Sequence, residues 1–147
     1  MIQKKYLAVF LSTQFIVQLF YAASSLAVQP DRAKTPGLLC TASDPDFSEY
    51  RYQEKIPYCG RNVASDEKQK IADAYGVPKS EWYKYEFDHL IPLAAGGSNN
   101  IRNIWPQPKA EALQKDKVEM AAYEGLRDGT LTQSQAVKMI WDWIDQH

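Results

Sequence analysis

An aspartate and a histidine stand side by side at Asp88-His89, and Asn103 follows 14 residues after the histidine. Imidazole titrates near neutrality, so His89 is suited to taking a proton from water at physiological pH. The Asp88 carboxylate offers the oxygen ligands that a hard divalent cation such as Mg²⁺ prefers. Such a cation polarises a phosphate and stabilises a leaving oxyanion. The pair is therefore suited to metal-assisted hydrolysis, with His89 as general base and Asp88 as metal ligand.

The elements that position this pair are indicated by periodicity. Aromatic residues from Tyr83 to Phe87 alternate with charged ones, which is a strand period that leads into the pair. Pro92 and the two glycines after it let the chain reverse, and residues 103–105 form a short returning strand. In a regular strand neighbouring side chains point to opposite faces. The aspartate and histidine therefore serve one site only if the strand ends or twists there.

Three helices are predicted from caps and apolar stripes. Ser65 is a good N-cap for a helix over residues 65–75, which Gly76 and Pro78 terminate. A second helix spans residues 109–127, after two prolines and before Asp128-Gly129. A third spans residues 133–145, and Thr132 with Gln135 forms its capping box.

Residues 28–39 contain two prolines and a glycine and are predicted to be a flexible lead-in, whereas residues 40–60 are predicted to be irregular. Cys40 and Cys59 are an even pair, and in an oxidising compartment they predict one disulfide. It would close a loop of about 20 residues and add about 3 kcal/mol by loop entropy. Two buried free thiols are the alternative.

The N-terminal residues 1–27 are typical of a signal peptide. Two lysines precede a mostly apolar stretch, and small residues lead to predicted cleavage after Ala27, with Ala23 as the second choice. We therefore expect an exported protein, periplasmic or secreted, with no membrane association after cleavage. A membrane anchor is the weaker alternative, since a spanning helix needs about 20 predominantly apolar residues.

Charge excludes one function class. The chain has 17 basic and 18 acidic residues, and removal of residues 1–27 removes two lysines and no acid, which leaves a net charge of about −3. A sequence-independent nucleic-acid coat is normally strongly basic. A nuclease can still be mildly acidic, because it holds its substrate only locally.

Residues 86–105 resemble the HNH endonuclease motif. The longer pattern, with the two cysteines and Lys115-Asp116-x-x-Glu119, resembles small exported bacterial proteins of that superfamily. The resemblance implies an α+β fold over residues 40–147, with a ββα-metal (HNH-like) core, flanking helices and a disulfide-tied N-terminal segment. It also implies one divalent metal ion, with Mg²⁺ preferred over Mn²⁺, Ni²⁺ or Zn²⁺, and a histidine that acts as the base.

Asn103 corresponds to the central asparagine of the family motif. Its amide can hydrogen-bond the backbone across the loop and hold His89 in position. The family often has a second metal ligand, histidine or asparagine, about eight or nine residues later, and here only Glu111 in that region can bind a metal. A carboxylate in a first helical turn is equally favoured by the helix dipole.

Further candidates surround this motif. Arg102 and Lys115 are predicted to contact a substrate phosphate, although Lys115 can instead pair with Glu111 or Glu119. Glu86, Asp116 and Glu119 are predicted to support the metal ligands from outside, and Glu86 can also act as a ligand itself.

The predicted function is that of an exported metal-dependent endonuclease with little sequence selectivity, acting on DNA, RNA or both. One alternative is a binding protein that keeps the scaffold without turnover, which the missing third motif residue and the net acidity favour. Another is a hydrolase of a different phosphodiester. The sequence leaves the oligomeric state open.

Overall fold

The structure is a computed structural model that describes residues 28–147; the predicted signal peptide, residues 1–27, lies outside the described residues. The described chain contains two small antiparallel sheets and three α-helices, which confirms the α+β class. No helix within residues 28–147 is long and apolar enough to cross a membrane. In chain order the elements are β1 Phe47–Arg51, β2 Ile56–Cys59, α1 Ser65–Tyr75, β3 Tyr85–His89, β4 Ile104–Pro108, α2 Lys109–Arg127 and α3 Gln133–Ile144.

The hairpin of β3 and β4 lies between helices. Its antiparallel register pairs Asp88 with Trp105, and His89 with Ile104. Because side chains alternate along a strand, one face carries Asp88 and Trp105, and the other carries His89 and Ile104. Trp105 packs in the core cluster formed with α2 and α3, whereas Ile104 packs in a second cluster with residues of α1. The neighbours Asp88 and His89 therefore face different layers.

Two boundaries of this hairpin differ from the prediction. Residues Lys79–Lys84 form a 3₁₀ helix, so Tyr83 is outside the strand, and the residue is 71% exposed. The helical turn brings Trp82 against Phe87, with ring centroids 4.9 Å apart, and this packing explains the later strand start. Asn103 ends a short 3₁₀ turn, and the returning strand begins one residue later, at Ile104.

The three predicted helices are confirmed. Helix α1 ends at Gly76, which takes a left-handed conformation with φ +68°. Its N-cap is Ala64 rather than Ser65, and the Glu67 carboxylate accepts the Ala64 backbone N–H at 2.8 Å. The predicted capping box of α3 is present, since the Thr132 hydroxyl and the Gln135 side chain each accept the other residue's backbone N–H.

The predicted irregular region, residues 40–60, instead contains the β1–β2 hairpin. Most side chains of β1 are exposed and β2 contains Pro57, so neither strand shows the alternation that marks a half-buried strand. The predicted disulfide between Cys40 and Cys59 is confirmed and ties this hairpin to the segment before it.

The predicted lead-in is packed against the fold. The Thr35 side chain is fully buried, and its hydroxyl lies 2.6 Å from the hydroxyl of Tyr75 in α1. Leu39 forms a β-bridge with Gly97 in the loop after β3. Residues 28–39 thereby contact both helix α1 and the loop that follows Asp88-His89.

Candidate functional site

Asn103 closes the loop after β3. Its side chain is fully buried; the amide nitrogen donates to the carbonyls of Ile91 and Ser98, and the amide oxygen accepts the Ile91 N–H, all at 2.9–3.0 Å. Gly97 lies inside this loop, where an added Cβ would collide with the Ile91 carbonyl oxygen. These bonds fix the backbone that follows His89.

His89 is buried and held by a side-chain hydrogen bond. It is 2% exposed, and its Nε2 lies 2.9 Å from Oδ1 of Asn99. Burial lowers the pKa of His89 below its usual value, although the hydrogen bond to Asn99 and the charge of Asp88 act in the opposite direction. The imidazole is therefore neutral at neutral pH, which is the form a general base requires.

Asn99 belongs to a network that sequence reasoning missed. Its Nδ2 donates to the Gly60 carbonyl at 2.6 Å and to the Asp46 carboxylate at 3.0 Å. The backbone N–H of Asn62 donates to Asn99 Oδ1, and the Asn62 side chain donates to Asp46. In the sequence Asn99 and Asn100 compete with Asn103 for the role of the motif asparagine, but both lie in a turn, where asparagine is common. No local signal pairs Asn99 with Asp46, 53 residues away.

A polar cavity of about 300 Å³ opens beside this network. Its lining has three carboxylates and no basic side chain, so it is a poor site for a phosphate. The lining residues are Asp44, Pro45, Asp46, Cys59, Asn62, Glu67, Ser98, Asn99 and Asn100.

Asp88, on the other face of β3, is held by a buried ammonium group. The side chain of Lys115 is 1% exposed, and its Nζ lies 2.7 Å from Asp88 Oδ2. The same ammonium donates to the His89 carbonyl at 2.8 Å and to the Glu119 carboxylate. Its three N–H groups thus have three acceptors. Of the roles predicted for Lys115, the structure shows the pairing with Glu119, and the ammonium is not presented to a phosphate.

Protonation of this cluster follows from its composition. Burial lowers the pKa of Lys115, but the charges of Asp88 and Glu119 outweigh it, so the net shift is upward and the ammonium stays charged. Burial and the charge of Asp88 raise the pKa of Glu119 despite the attraction of Lys115. The raised pKa values favour the protonated forms of both Lys115 and Glu119, as expected where one ammonium neutralises two carboxylates.

The remaining predicted residues lie outside these two clusters. Glu111 is partly exposed, and burial raises its pKa while the charge of His147 lowers it. The charge of Asp88 contributes to the pKa shift of Glu119, whereas the charge that acts on the pKa of Glu111 is that of His147. The side chains of Glu86, Arg102 and Asp116 are exposed. The structure therefore brings Lys115 and Glu119 to Asp88 but leaves Glu111 apart.

Arg61 is a basic residue beside β3 that sequence reasoning also missed. Its guanidinium donates to the Phe87 carbonyl at 3.1 Å, two residues before His89, while the residue as a whole is exposed. Its charge contributes to the lowered pKa of His89. An exposed arginine in this place is suited to contact a phosphate.

The structure also contains a potential metal cluster of Cys40, Asp44 and Cys59, whose ligand atoms lie within 4.8 Å of one another. The two sulfur atoms form the disulfide, so this cluster offers no thiolate ligand. No family model matches the sequence, and neither the curated proteins nor the solved structures include a match. The HNH resemblance therefore stays a prediction.

Proposed function

We propose that this protein hydrolyses phosphodiester bonds of nucleic acid, with His89 as the general base. The observation that supports this most is the set of hydrogen bonds made by the Asn103 amide, which fixes the backbone directly after the Asp-His pair. The motif pattern and the order of strand, loop, strand and helix support the same function. Because it is neutral, His89 can accept a proton from the attacking water.

The substrate phosphate would be bound by exposed arginines. Arg61 lies beside β3 through its bond to the Phe87 carbonyl, and Arg102 lies one residue before Asn103. Both arginines are exposed residues, whereas the Lys115 ammonium is buried and saturated. The described chain presents no strongly basic helix or arm, so we propose cleavage with little sequence selectivity.

One divalent ion remains part of the proposed nuclease, with Mg²⁺ as the first choice. The residues as folded do not form the expected two-carboxylate site, because Lys115 engages Asp88 and the charge of Asp88 does not contribute to the pKa shift of Glu111. A divalent ion and the ammonium would compete for Asp88. We therefore assign no step of the reaction to the ion.

We further propose that the protein is exported to the periplasm or the medium. The disulfide supports this, since disulfides persist mainly in oxidising compartments. The N-terminal pattern, which lies outside the described residues, supports it independently through sequence alone.

A second candidate function is an exported binding protein without turnover. The observation that favours it is the Lys115 ammonium on Asp88, which takes one of the two carboxylate oxygens and balances the charge that would attract a metal ion. The acidic cavity beside Asn99 favours it too, since a phosphate would be repelled there.

A nuclease assay separates the two functions. Plasmid nicking and RNA degradation would be measured with the purified, oxidised protein in Mg²⁺, Mn²⁺, Ni²⁺, Zn²⁺ or a chelator, with a model phosphodiester as a further substrate. Cleavage that is lost in His89→Ala supports the nuclease. A folded protein that cleaves none of the substrates supports the binding protein, and turnover of the model phosphodiester alone supports a different hydrolase.

A further inference from the structure

The hydrogen-bond network around Asn99 fixes which way its amide points. The Gly60 carbonyl can only accept a hydrogen bond, and the Asn62 backbone N–H can only donate one. Asn99 Nδ2 lies 2.6 Å from the Gly60 carbonyl oxygen, and Asn99 Oδ1 lies 3.2 Å from the Asn62 backbone nitrogen. Exchanging the amide's oxygen and nitrogen would set donor against donor and acceptor against acceptor. Backbone groups of fixed polarity therefore determine the orientation of the Asn99 amide.

That orientation determines the proton position on His89. Asn99 Oδ1 is an acceptor, so the Nε2 atom 2.9 Å away must carry the hydrogen. A neutral imidazole has only one N–H, which leaves the lone pair on Nδ1. Among the described residues Nδ1 makes no hydrogen bond. The buried side-chain nitrogen and oxygen atoms of residues 28–147 that lack a hydrogen-bond partner belong to Trp82, Trp105 and Gln107, so Nδ1 of His89 is not among them.

We infer that Asn99 is a positioning residue that holds His89 in its Nε2–H tautomer, so that Nδ1 is the atom that accepts the proton from water. The inference deepens the proposed nuclease and rests on it for the catalytic role of Nδ1. The tautomer itself follows from the hydrogen bonds alone.

The positioning depends on the other hairpin. Asp46 accepts hydrogen bonds from both Asn99 and Asn62, so its carboxylate holds the two amides together. Gly60 follows Cys59 directly, and its N–H donates to the Asp46 carbonyl at 2.9 Å. The disulfide at Cys59 therefore constrains the strand end that orients Asn99. Through these contacts the β1–β2 hairpin helps to orient Asn99 and thereby His89, at the end of β3.

The test is nitrogen NMR of the ¹⁵N-labelled full chain at neutral pH. The chain has two histidines, His89 and His147, so each ring is assigned by recording His147→Gln. We expect the Nδ1 of His89 to resonate as an unprotonated ring nitrogen and Nε2 to show the attached hydrogen. A wild-type His89 with its hydrogen on Nδ1 would overturn the inference, whatever the activity. This measurement needs no variant at Asn99. It therefore tests the inference even if an Asn99 variant fails to fold.

Two variants then test the role of Asn99. Asn99→Ala should give a mixture of tautomers and lower kcat by about 10- to 100-fold with little change in KM, because a misoriented base loses part of its contribution. Gln69→Ala is the control: its side-chain amide bonds the Asp73 carboxylate within helix α1, away from His89, and it should change neither readout. An unchanged tautomer in a folded Asn99→Ala protein would contradict the positioning role. The predicted tautomer in a protein that cleaves nothing would refute the nuclease and with it the catalytic role of Nδ1.

Discussion

Replacing Lys115 with methionine tests the buried charge cluster. Methionine is similar in length but leaves Asp88 and Glu119 facing one another without the ammonium that bonds both. Removing one partner of a buried pair typically costs about 3–5 kcal/mol. Both carboxylates are about one-quarter exposed, so water relieves part of the penalty, and we expect about 3 kcal/mol. That is a large fraction of the usual total stability of about 5–15 kcal/mol.

The assay is urea unfolding followed by tryptophan fluorescence, for which the chain has four tryptophans. Lys117→Met is the matched control, since Lys117 lies on the same helix but is exposed, and it should change stability by less than about 0.5 kcal/mol. Adding Asp88→Asn and Glu119→Gln to Lys115→Met should recover at least about half of the loss, because no unpaired charge is left. A loss below about 1 kcal/mol in Lys115→Met would refute the cluster as a buried network.

The same variant bears on the metal. With the ammonium gone, Asp88 and Glu119 form a pair of carboxylates that a divalent ion can neutralise. Millimolar Mg²⁺ or Ca²⁺ should then raise the unfolding midpoint of Lys115→Met by more than that of wild type, by the mass action of binding to the folded state. Equal stabilisation of both proteins would contradict competition between ion and ammonium for Asp88.

Three further predictions follow from the loop and the network. Gly97→Ala should cost about 3 kcal/mol or more, because its Cβ meets the Ile91 carbonyl, whereas Gly60→Ala, with open space around it, should cost less than about 1 kcal/mol in the same urea assay. Reducing the disulfide should cost about 3 kcal/mol by loop entropy, and unfolding with and without reductant measures it; a loss under about 1 kcal/mol would contradict this. The pKa of His89 is lowered by burial, so the unfolded chain takes up that proton first. The free energy of unfolding should therefore fall as pH drops below about 6.5. His89→Gln should remove this part of the pH dependence, and His147→Gln should keep it.

The helices were predictable because their signals are local. Helix α3 carries an apolar stripe and a capping box within a dozen residues, and α2 begins at prolines and ends before Asp128-Gly129. The β1–β2 hairpin was not predictable in this way. Its strands are short and largely exposed, so its pairing leaves no pattern of hydrophobicity to detect.

In the candidate site, too, features with a local sequence signal were predictable and features that depend on distant contacts were not. Asn103 was expected to bond the backbone across the loop, and the structure shows those bonds. The network of Asp46, Asn62 and Asn99 depends on contacts between distant segments, which no local spacing encodes. The burial of Lys115 was equally hidden, because lysine is almost never fully buried unless it is paired, and its partner Asp88 lies 27 residues away.

The central claim is that His89 is the base of a nucleic-acid hydrolase. The most direct measurement is the single-turnover cleavage rate of wild type, His89→Ala and His147→Ala on the same DNA and RNA at neutral pH. We expect the His89→Ala rate to fall by at least about 100-fold and the His147→Ala rate to stay within about twofold of wild type. A His89→Ala protein that cleaves as fast as wild type would contradict the claim.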